Sequence, residues 1–159
     1  MPTTVSERTL EAQPILFVRR ELAHRDEIAA AIGASLGAVF EHCQAGGHQF
    51  AGPPFARYTA FGPDGITVES GIPLATPAEG AGEIEAGFLQ AGRAAFCLHE
   101  GDYAELERSY NAIEQWVEAN GEQFSGACWE SYLTDPAEHD DPADWRTEIY
   151  WPIADRDQA

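Results

Sequence analysis

The chain has 159 residues, 44% of them hydrophobic, and its 27 acidic residues face nine arginines and no lysine, which gives a formal net charge of −18. This length suits a single folded domain, whereas the acidic excess repels phosphate and argues against direct binding to nucleic acid. The sequence has neither an apolar run of the roughly 18 residues that a membrane span needs nor a basic and apolar N-terminal leader, and its three cysteines are irregularly spaced. We therefore expect a cytoplasmic protein with reduced thiols and no contact with a membrane.

The first half of the chain combines short apolar runs with one helical pattern. A polar, acidic stretch at 1–12 predicts a flexible N-terminus. Apolar side chains then recur at helical spacing up to Gly46-Gly47, which end the helix, and Gly62-Pro63-Asp64-Gly65 is a turn sequence between two strand patterns. These patterns predict a strand at 15–18, a helix at 26–43, and strands at 55–61 and 66–74.

The same order of elements returns in the second half. A segment at 83–89 predicts a strand or an edge segment, and Asp102 with Glu105 forms a capping pattern at the start of a second helix that stops at Asn120-Gly121. An acidic stretch at 134–144 predicts a solvated hairpin tip, because it lacks the ligand order of a calcium loop. The remaining predicted strands lie at 93–99, 127–133 and 146–153, and a flexible C-terminus follows at 154–159.

Two pairs of segments match between the halves. Gly52 to Tyr58 aligns with Gly126 to Tyr132, with an aromatic residue at the fourth position and tyrosine at the seventh, and Val68 to Leu74 aligns with Thr147 to Ile153. The matches predict an α+β fold of duplicated strand-helix-strand-strand units, at about 13–75 and 83–153, within one domain at 13–153. We expect approximate two-fold symmetry and antiparallel sheets that carry the helices on one side.

Side chains two residues apart share a face of a strand, so the strands predict which residues lie together. The helix side receives Ile72 and Leu74, which leaves Glu69 on the opposite face. The alternation places Trp129 and Trp151 towards the helices. The two Glu-x-Tyr motifs predict one acidic and phenolic face away from the helices, made by Glu130, Tyr132, Glu148 and Tyr150.

This acidic and phenolic face has two interpretations. Tyrosine rings and a partly desolvated carboxylate suit a flat, cationic guest molecule. Polar residues that alternate along a strand are also typical of the wet face of an open antiparallel sheet. The residues alone leave both interpretations open.

Other residue patterns point away from bound ions and cofactors. His42, Cys43 and His48 straddle a helix end and a loop, without a second ligand pair at zinc spacing. His99 lies just before the second helix, where it can position the helix start or transfer a proton. Phosphate-loop, nucleophile-elbow and dinucleotide motifs are absent from the sequence. We expect neither a metal nor a cofactor.

Five short motifs follow one another along the duplicated pattern: VESGIP at 68–73, LQAGRAA at 89–95, HEGDY at 99–103, WESYLTDP at 129–136 and RTEIYWP at 146–152. Together they resemble the GyrI-like small-molecule-binding domains, over about residues 13–153. In that family the domain occurs alone or fused to DNA-binding segments of multidrug-responsive regulators, and a groove between its halves binds cationic lipophilic ligands. The resemblance implies a stand-alone effector-binding domain, with helices on one side and the ligand groove on the other.

The resemblance also implies a set of ligand-binding residues and three hypotheses for their use. The first is sequestration or sensing of a lipophilic cation or polycyclic aromatic compound, as in xenobiotic resistance. The second is hydrolysis of cyclopropane-bearing DNA-alkylating compounds, with Glu130 or Glu148 as general base and Tyr132 as acid. The third is an acidic mimic of DNA that engages gyrase or a regulator protein, and the oligomeric state stays open. The implied ligand-binding residues are Tyr58, Glu69, Trp129, Glu130, Tyr132, Glu148 and Tyr150.

Overall fold

A computed structural model describes residues 4–135 and 138–155, which fall into two compact units. The first unit is Ala12–Leu89, and the second combines Met1–Glu11 with Gln90–Ala159. Within the described residues, eight strands pair antiparallel, and each unit contains one α-helix, so the α+β prediction is confirmed. In chain order these elements are β1 Val5–Leu10, β2 Gln13–Leu22, α1 Ile28–Gly46, β3 Phe55–Gly62, β4 Gly65–Pro73, β5 Ile84–Leu89, β6 Gly92–Glu100, α2 Leu106–Ala119, β7 Cys128–Tyr132 and β8 Arg146–Pro152.

The first unit is a sheet in the order β3-β4-β2-β5, with α1 packed on β2 and β4. Its core is apolar and almost fully closed to solvent, since no member is more than 6% exposed. Burying one Leu, Val or Ile side chain stabilises the folded state by roughly 1.5–3 kcal/mol relative to leaving it exposed. The apolar side chains of the core therefore hold α1 on one face of the sheet. Helix-side packing of Ile72 and Leu74, as the alternation predicted, is confirmed. The core residues are Leu16, Val18, Val39, Cys43, Ile72 and Leu74.

The second unit is a sheet in the order β1-β6-β8-β7, with α2 packed on β6 and β1. His99 at the end of β6 is buried, and its Nδ1 lies 2.7 Å from Ser109 Oγ while its Nε2 lies 3.0 Å from the carbonyl oxygen of Asp102. This side chain therefore ties β6 to the start of α2. The core residues of the unit are Ala95, Cys97, Ile113, Val117, Ile149 and Ile153.

The N-terminal segment differs from its sequence-based expectation. Val5–Leu10 forms β1 and pairs with β6, whereas a flexible stretch was expected at 1–12. Val5 packs against the core of the second unit, and Glu7 is paired with Arg93 at 2.8 Å. The middle of this edge strand is Ser6-Glu7-Arg8-Thr9, and such polar edge strands escape detection by hydrophobic pattern. Residues 1–3 and 156–159, parts of the two expected flexible ends, lie outside the described residues.

The duplication extends to individual backbone hydrogen bonds. Ala51 N donates to Pro73 O at 2.9 Å, and at the matching place in the second unit Ser125 N donates to Pro152 O at 2.9 Å. The edge strands complete the correspondence, because β5 pairs with β2 and β1 pairs with β6. The segment at 83–89, which the sequence grouped with the second half, thus forms a strand of the first unit's sheet.

The helices and cysteines carry two further observations. Neither α1 nor α2, nor any other helix in the described ranges, is both long and apolar enough to cross a bilayer. Cys43, Cys97 and Cys128 are free thiols, and burial raises the pKa of each of them. Their sulfurs are therefore weak nucleophiles at neutral pH.

Candidate functional site

The register between β7 and β8 decides which candidate residues lie together. Trp129 pairs with Tyr150, Ser131 with Glu148, and Glu130 with Ile149. Paired residues in an antiparallel ladder share a face, so Trp129 lies with Tyr150 and Glu148 on the face away from α2. Glu130 lies with the core residue Ile149 on the helix side.

The predicted single face of two Glu-x-Tyr motifs is therefore wrong, and so is the helix-side placement of Trp129. The two motifs are offset by one residue in the ladder, and an offset of one moves every side chain of a strand to the other face. The candidate residues of the second unit thus form two separate clusters. The helix-side placement of Trp151 is confirmed, since it packs against the α2 core and stacks on Phe124 at 3.9 Å.

The first cluster, here named the open-face cluster, is a stack of rings beside one carboxylate. Trp129 stacks on Tyr150 with 5.4 Å between ring centroids, and Phe96 lies 5.2 Å from Tyr150 on the neighbouring strand. Glu148 follows on the same face of β8 with 21% of its side chain exposed, while Trp129 and Phe96 are buried. The arrangement is a largely desolvated aromatic surface with a carboxylate at its edge, and not a wet sheet face. Its members are Arg8, Phe96, Trp129, Glu148 and Tyr150.

A chain of polar contacts runs through the open-face cluster. Arg8 Nη1 donates to Tyr150 Oη at 3.3 Å, and Tyr150 Oη donates to Glu148 Oε1 at 3.1 Å. Burial, followed by the Glu148 charge, raises the pKa of Tyr150 to about 12, and Arg8 partly offsets this rise. Tyr150 therefore keeps its proton at neutral pH. Its hydroxyl group is a fixed donor to Glu148.

The second cluster, here named the helix-side cluster, surrounds a buried carboxylate with phenols. Glu130 is 4% exposed, and its two oxygens accept from Tyr110 Oη at 2.5 Å and from Tyr132 Oη at 2.8 Å. Tyr110 comes from α2 and Tyr132 from β7, so the helix and the sheet jointly hold the carboxylate. Its members are Tyr110, Cys128, Glu130 and Tyr132.

Burial sets the ionisation of the helix-side cluster. It raises the pKa of Glu130, and the hydrogen bonds from Tyr110 and Tyr132 oppose that rise only in part. Burial, together with the Glu130 charge, raises the pKa of Cys128 to about 11. A carboxyl group whose pKa is raised, and which two phenolic donors contact, holds a proton more readily than an exposed carboxylate does, and this favours general acid–base chemistry.

The first unit places different chemistry at the matching positions. Glu69, the counterpart of Glu148 in the repeat, is 3% exposed and is bound by two arginines. Arg57 Nε lies 2.7 Å from Glu69 Oε1, and Arg19 Nη2 lies 2.7 Å from Glu69 Oε2. Two cations therefore neutralise this buried carboxylate, whereas Glu148 faces one.

The two units also differ at two further positions. Gly71 is the counterpart of Tyr150, and a Cβ built on it would overlap the carbonyl oxygen of Leu16 on β2. Tyr58 pairs with Val68, so it lies on the opposite face from Glu69. The centroid of its ring lies 5.8 Å from that of Phe61. The implied ligand residues Tyr58 and Glu69 thus do not share a surface within the first unit.

Sequence reasoning missed several residues of these clusters. Arg8 was missed because its strand was not predicted. Tyr110 was missed because it lies on the face of α2 that packs against the core, where helical spacing gives no sign of a contact with Glu130. Phe96, Arg19 and Arg57 can be recognised as candidates only once the two halves of the repeat are aligned. Phe96 then matches Phe17, and Phe96 pairs with Tyr150 where Phe17 pairs with Gly71.

The histidines form no metal centre in the part of the chain that the structure describes. The rings of His42 and His48 lie 6.0 Å apart. Across residues 4–135 and 138–155, no group of three or more His, Cys, Asp or Glu side chains is placed to hold an ion. The acidic stretch at 134–144 contributes only a short 3-10 helix at Pro142–Asp144 among its described residues, and Pro136 of the WESYLTDP segment lies outside them.

Comparison with known proteins gives one family and one fold. The GyrI-like small molecule binding domain matches residues 3–154. The C-terminal domain of EcmrR is 22% identical with a TM-score of 0.84, over 97% of this chain and 99% of that one. A hydrolase from Listeria innocua encoded by lin2189 is 12% identical with a TM-score of 0.66, over 96% of this chain and 93% of that one.

The extent of these matches differs between relatives. EcmrR in its complex with DNA also has a TM-score of 0.84 at 22% identity, but this chain, with 96% of its residues matched, spans only 58% of that protein. At such identities the structural likeness is one of fold. No curated protein sequence matches the chain.

Proposed function

Because the chain belongs to the family of GyrI-like small molecule binding domains, we propose that its ligand is a lipophilic, aromatic cation bound at the open-face cluster. The observation that carries this proposal is that the cluster already accommodates a cation. The Arg8 guanidinium lies over the Phe96 ring, 3.4 Å from its centroid, and 3.7 Å from Glu148 Oε2. A site that holds a guanidinium on an aromatic face beside a carboxylate has the features that select organic cations.

The ring stack supplies the second part of the affinity. Tyr150, backed by Trp129, offers a rigid flat surface, and burying aromatic surface is the main source of binding energy for ligands of this kind. A related fold, SAV2435, at 9% identity and a TM-score of 0.59, was solved bound to tetraphenylphosphonium. That compound combines a single delocalised positive charge with phenyl rings, so it is the natural first probe.

The proposal is tested by titrating tetraphenylphosphonium and following tryptophan fluorescence. Saturable binding to the wild type is expected, and Glu148→Gln is expected to weaken it about tenfold, because the variant removes the charge but keeps the size of the side chain. Glu114→Gln is the matched control, since it removes an exposed carboxylate from α2 and leaves the cluster intact. Equal weakening by both variants, or a linear response without saturation, would reject a defined cation site.

A second function is favoured by the helix-side cluster. Glu130 has the raised pKa that a carboxylate base requires, and Tyr132 Oη lies 2.8 Å from it. We propose that this pair opens a strained cyclopropane ring by hydrolysis. Glu130 takes a proton from water, the water oxygen bonds to a ring carbon as the carbon–carbon bond breaks, and Tyr132 protonates the carbon that leaves. Proton return from Glu130 to Tyr132 then restores both groups.

Turnover separates this second function from simple binding. An activated cyclopropane alkylator in excess over the protein should give more than one equivalent of ring-opened product by mass spectrometry. Loss of general acid–base catalysis in Glu130→Gln or Tyr132→Phe should slow the reaction by roughly 10²- to 10⁴-fold. Product limited to one equivalent, or unchanged rates in both variants, would leave the cluster with a structural role.

We propose that the protein acts in the cytoplasm. The three thiols are free, two of them in the apolar cores, and reduced cysteines of this kind are typical of a reducing compartment. Multidrug or xenobiotic binding is the corresponding cellular role. Thiol labelling of protein isolated from intact cells under denaturing conditions would detect all three free thiols if the assignment is correct, and oxidised forms if it is not.

A further inference from the structure

Arg8 occupies the position that the proposed function assigns to the ligand's charge. Its guanidinium covers the Phe96 ring at 3.4 Å, donates to Tyr150 Oη at 3.3 Å and lies 3.7 Å from Glu148 Oε2. These three partners are the ring face, the hydroxyl and the carboxylate of the open-face cluster. A bound organic cation would use the same ring face and the same carboxylate, so Arg8 and the ligand cannot occupy this position together.

The contacts of Arg8 are suited to exchange. The side chain is 46% exposed, and its ion pair with Glu148 is at the long end of the range, so water competes for it. The backbone of β1 is held independently, by its ladder with β6 and by the pair between Glu7 and Arg93. The guanidinium can therefore swing into solvent without unpairing the strand that carries it.

The two other arginines that lie near an aromatic ring within the described residues, Arg19 and Arg57, do not share this arrangement. Arg19 and Arg57 lie 5.8 Å and 5.6 Å from the Phe17 centroid, and each is within 2.7 Å of the buried Glu69. Their ion pairs are short and their shared partner Glu69 is buried, which makes them fixed parts of the first unit. Arg8 alone among these three combines a close ring contact with a loose ion pair.

We propose that Arg8 is a built-in competitor, which fills the cation position of the open-face cluster in the empty protein and is displaced by the ligand. This inference rests on the proposed function. Arg8 would then set selectivity as well as affinity. A ligand must interact with Phe96, Tyr150 and Glu148 more strongly than a guanidinium does, so small, strongly hydrated cations are excluded and large, delocalised aromatic cations are favoured.

The first test is the affinity for tetraphenylphosphonium in Arg8→Met, which keeps an unbranched side chain and removes the charge. Binding is expected to tighten about tenfold, or about 1.4 kcal/mol. Arg20→Met is the matched control, because it removes the same charge from an exposed arginine whose partner is Glu83 in the first unit. The control is expected to change the affinity less than about twofold.

The second test observes the displacement directly in the wild type. A methylene beside a guanidinium that sits over an aromatic ring is shifted upfield by the ring current, so the Arg8 Cδ protons should resonate upfield in the empty protein. Saturation with tetraphenylphosphonium should return them to the shift of a solvated arginine. The Phe96→Leu variant, which lacks the ring, assigns the upfield signal.

The outcomes distinguish the two proposals. Tighter binding in Arg8→Met together with the return of the proton shift supports displacement. If the wild type binds but Arg8→Met binds no more tightly, or the upfield signal persists at saturation, the competitor role is rejected and the cation site stands. If neither wild type nor Arg8→Met binds, both proposals are rejected.

Discussion

Glu130 and Glu148 are carboxylates on neighbouring strands whose surroundings give them different chemistry. Glu130 is closed off from solvent and bound by two phenols, so it is suited to holding a proton. Glu148 is partly exposed at the edge of a ring stack and faces the Arg8 guanidinium, so it is placed to pair with a positive charge. The residue types alone did not distinguish these roles. They follow from a one-residue offset in strand pairing, which no pattern in β7 or β8 reveals.

The pH dependence of stability should report the buried state of Glu130. Because burial raises the pKa of Glu130 in the folded chain, the folded state binds this proton more tightly than the unfolded state does. Its contribution to stability is fully present below its ordinary pKa of 4.5 and is lost as the pH rises through the folded pKa. The Glu130→Gln variant lacks this loss, so wild type should lose stability relative to it by about 1.4 kcal/mol per unit of pKa difference.

Urea unfolding of both proteins between about pH 4 and about pH 8 measures this difference. Glu114→Gln, which removes an exposed carboxylate from the same unit, is expected to run parallel to the wild type. A stability of the wild type relative to Glu130→Gln that stays constant, or that increases as the pH rises, would contradict a raised pKa at Glu130.

The elements of the fold were largely predictable, because their signals are local. Both helices have apolar side chains at helical spacing, and β4 and β8 carry apolar residues at every second position over part of their length, so their boundaries shift by only a few residues between expectation and structure. The repeat at 52–58 and 126–132 also carried real information, since it aligns β3 with β7. The edge strand β1 and the pairing partner of β5 were not predictable, because edge strands lack a continuous apolar face and pairing is a long-range choice.

The duplicated element also explains why only the second unit carries the ring stack. Gly71 of β4 lies so close to the backbone of β2 that no side chain fits there. In β8 the matching position is Tyr150. Gly71→Ala should therefore destabilise the protein by about 3 kcal/mol or more, because its Cβ meets backbone that cannot move aside. Urea unfolding at neutral pH measures the change in free energy.

A matched glycine substitution controls for composition. Gly33 lies in α1, and among the described residues a Cβ there meets no neighbour within 4 Å. Gly33→Ala should stabilise the helix by up to about 1 kcal/mol, because alanine has the higher helix propensity. A mild effect of Gly71→Ala, similar in size to that of Gly33→Ala, would show that β2 and β4 are not packed as closely as described.

At the scale of the whole molecule, the net charge of −18 offers a rival explanation for any affinity towards cations. A diffuse acidic surface attracts every cation alike, and its effect fades with salt because the screening length is about 8 Å at physiological ionic strength. A carboxylate beside a ring stack acts at contact distance and is screened far less. The central claim is that preference for a cation comes from Glu148 in the open-face cluster and not from the total charge.

The most direct measurement compares a naphthyl-trimethylammonium ion with its neutral tert-butyl isostere at physiological salt, in wild type and in Glu148→Gln. The two ligands share shape and aromatic surface, so the ratio of their affinities isolates the charge. We predict that the wild type prefers the cation by about tenfold or more, or at least about 1.4 kcal/mol, and that Glu148→Gln abolishes most of this preference while Glu114→Gln keeps it. An undiminished preference in Glu148→Gln would contradict the account, because the total charge would then be its source.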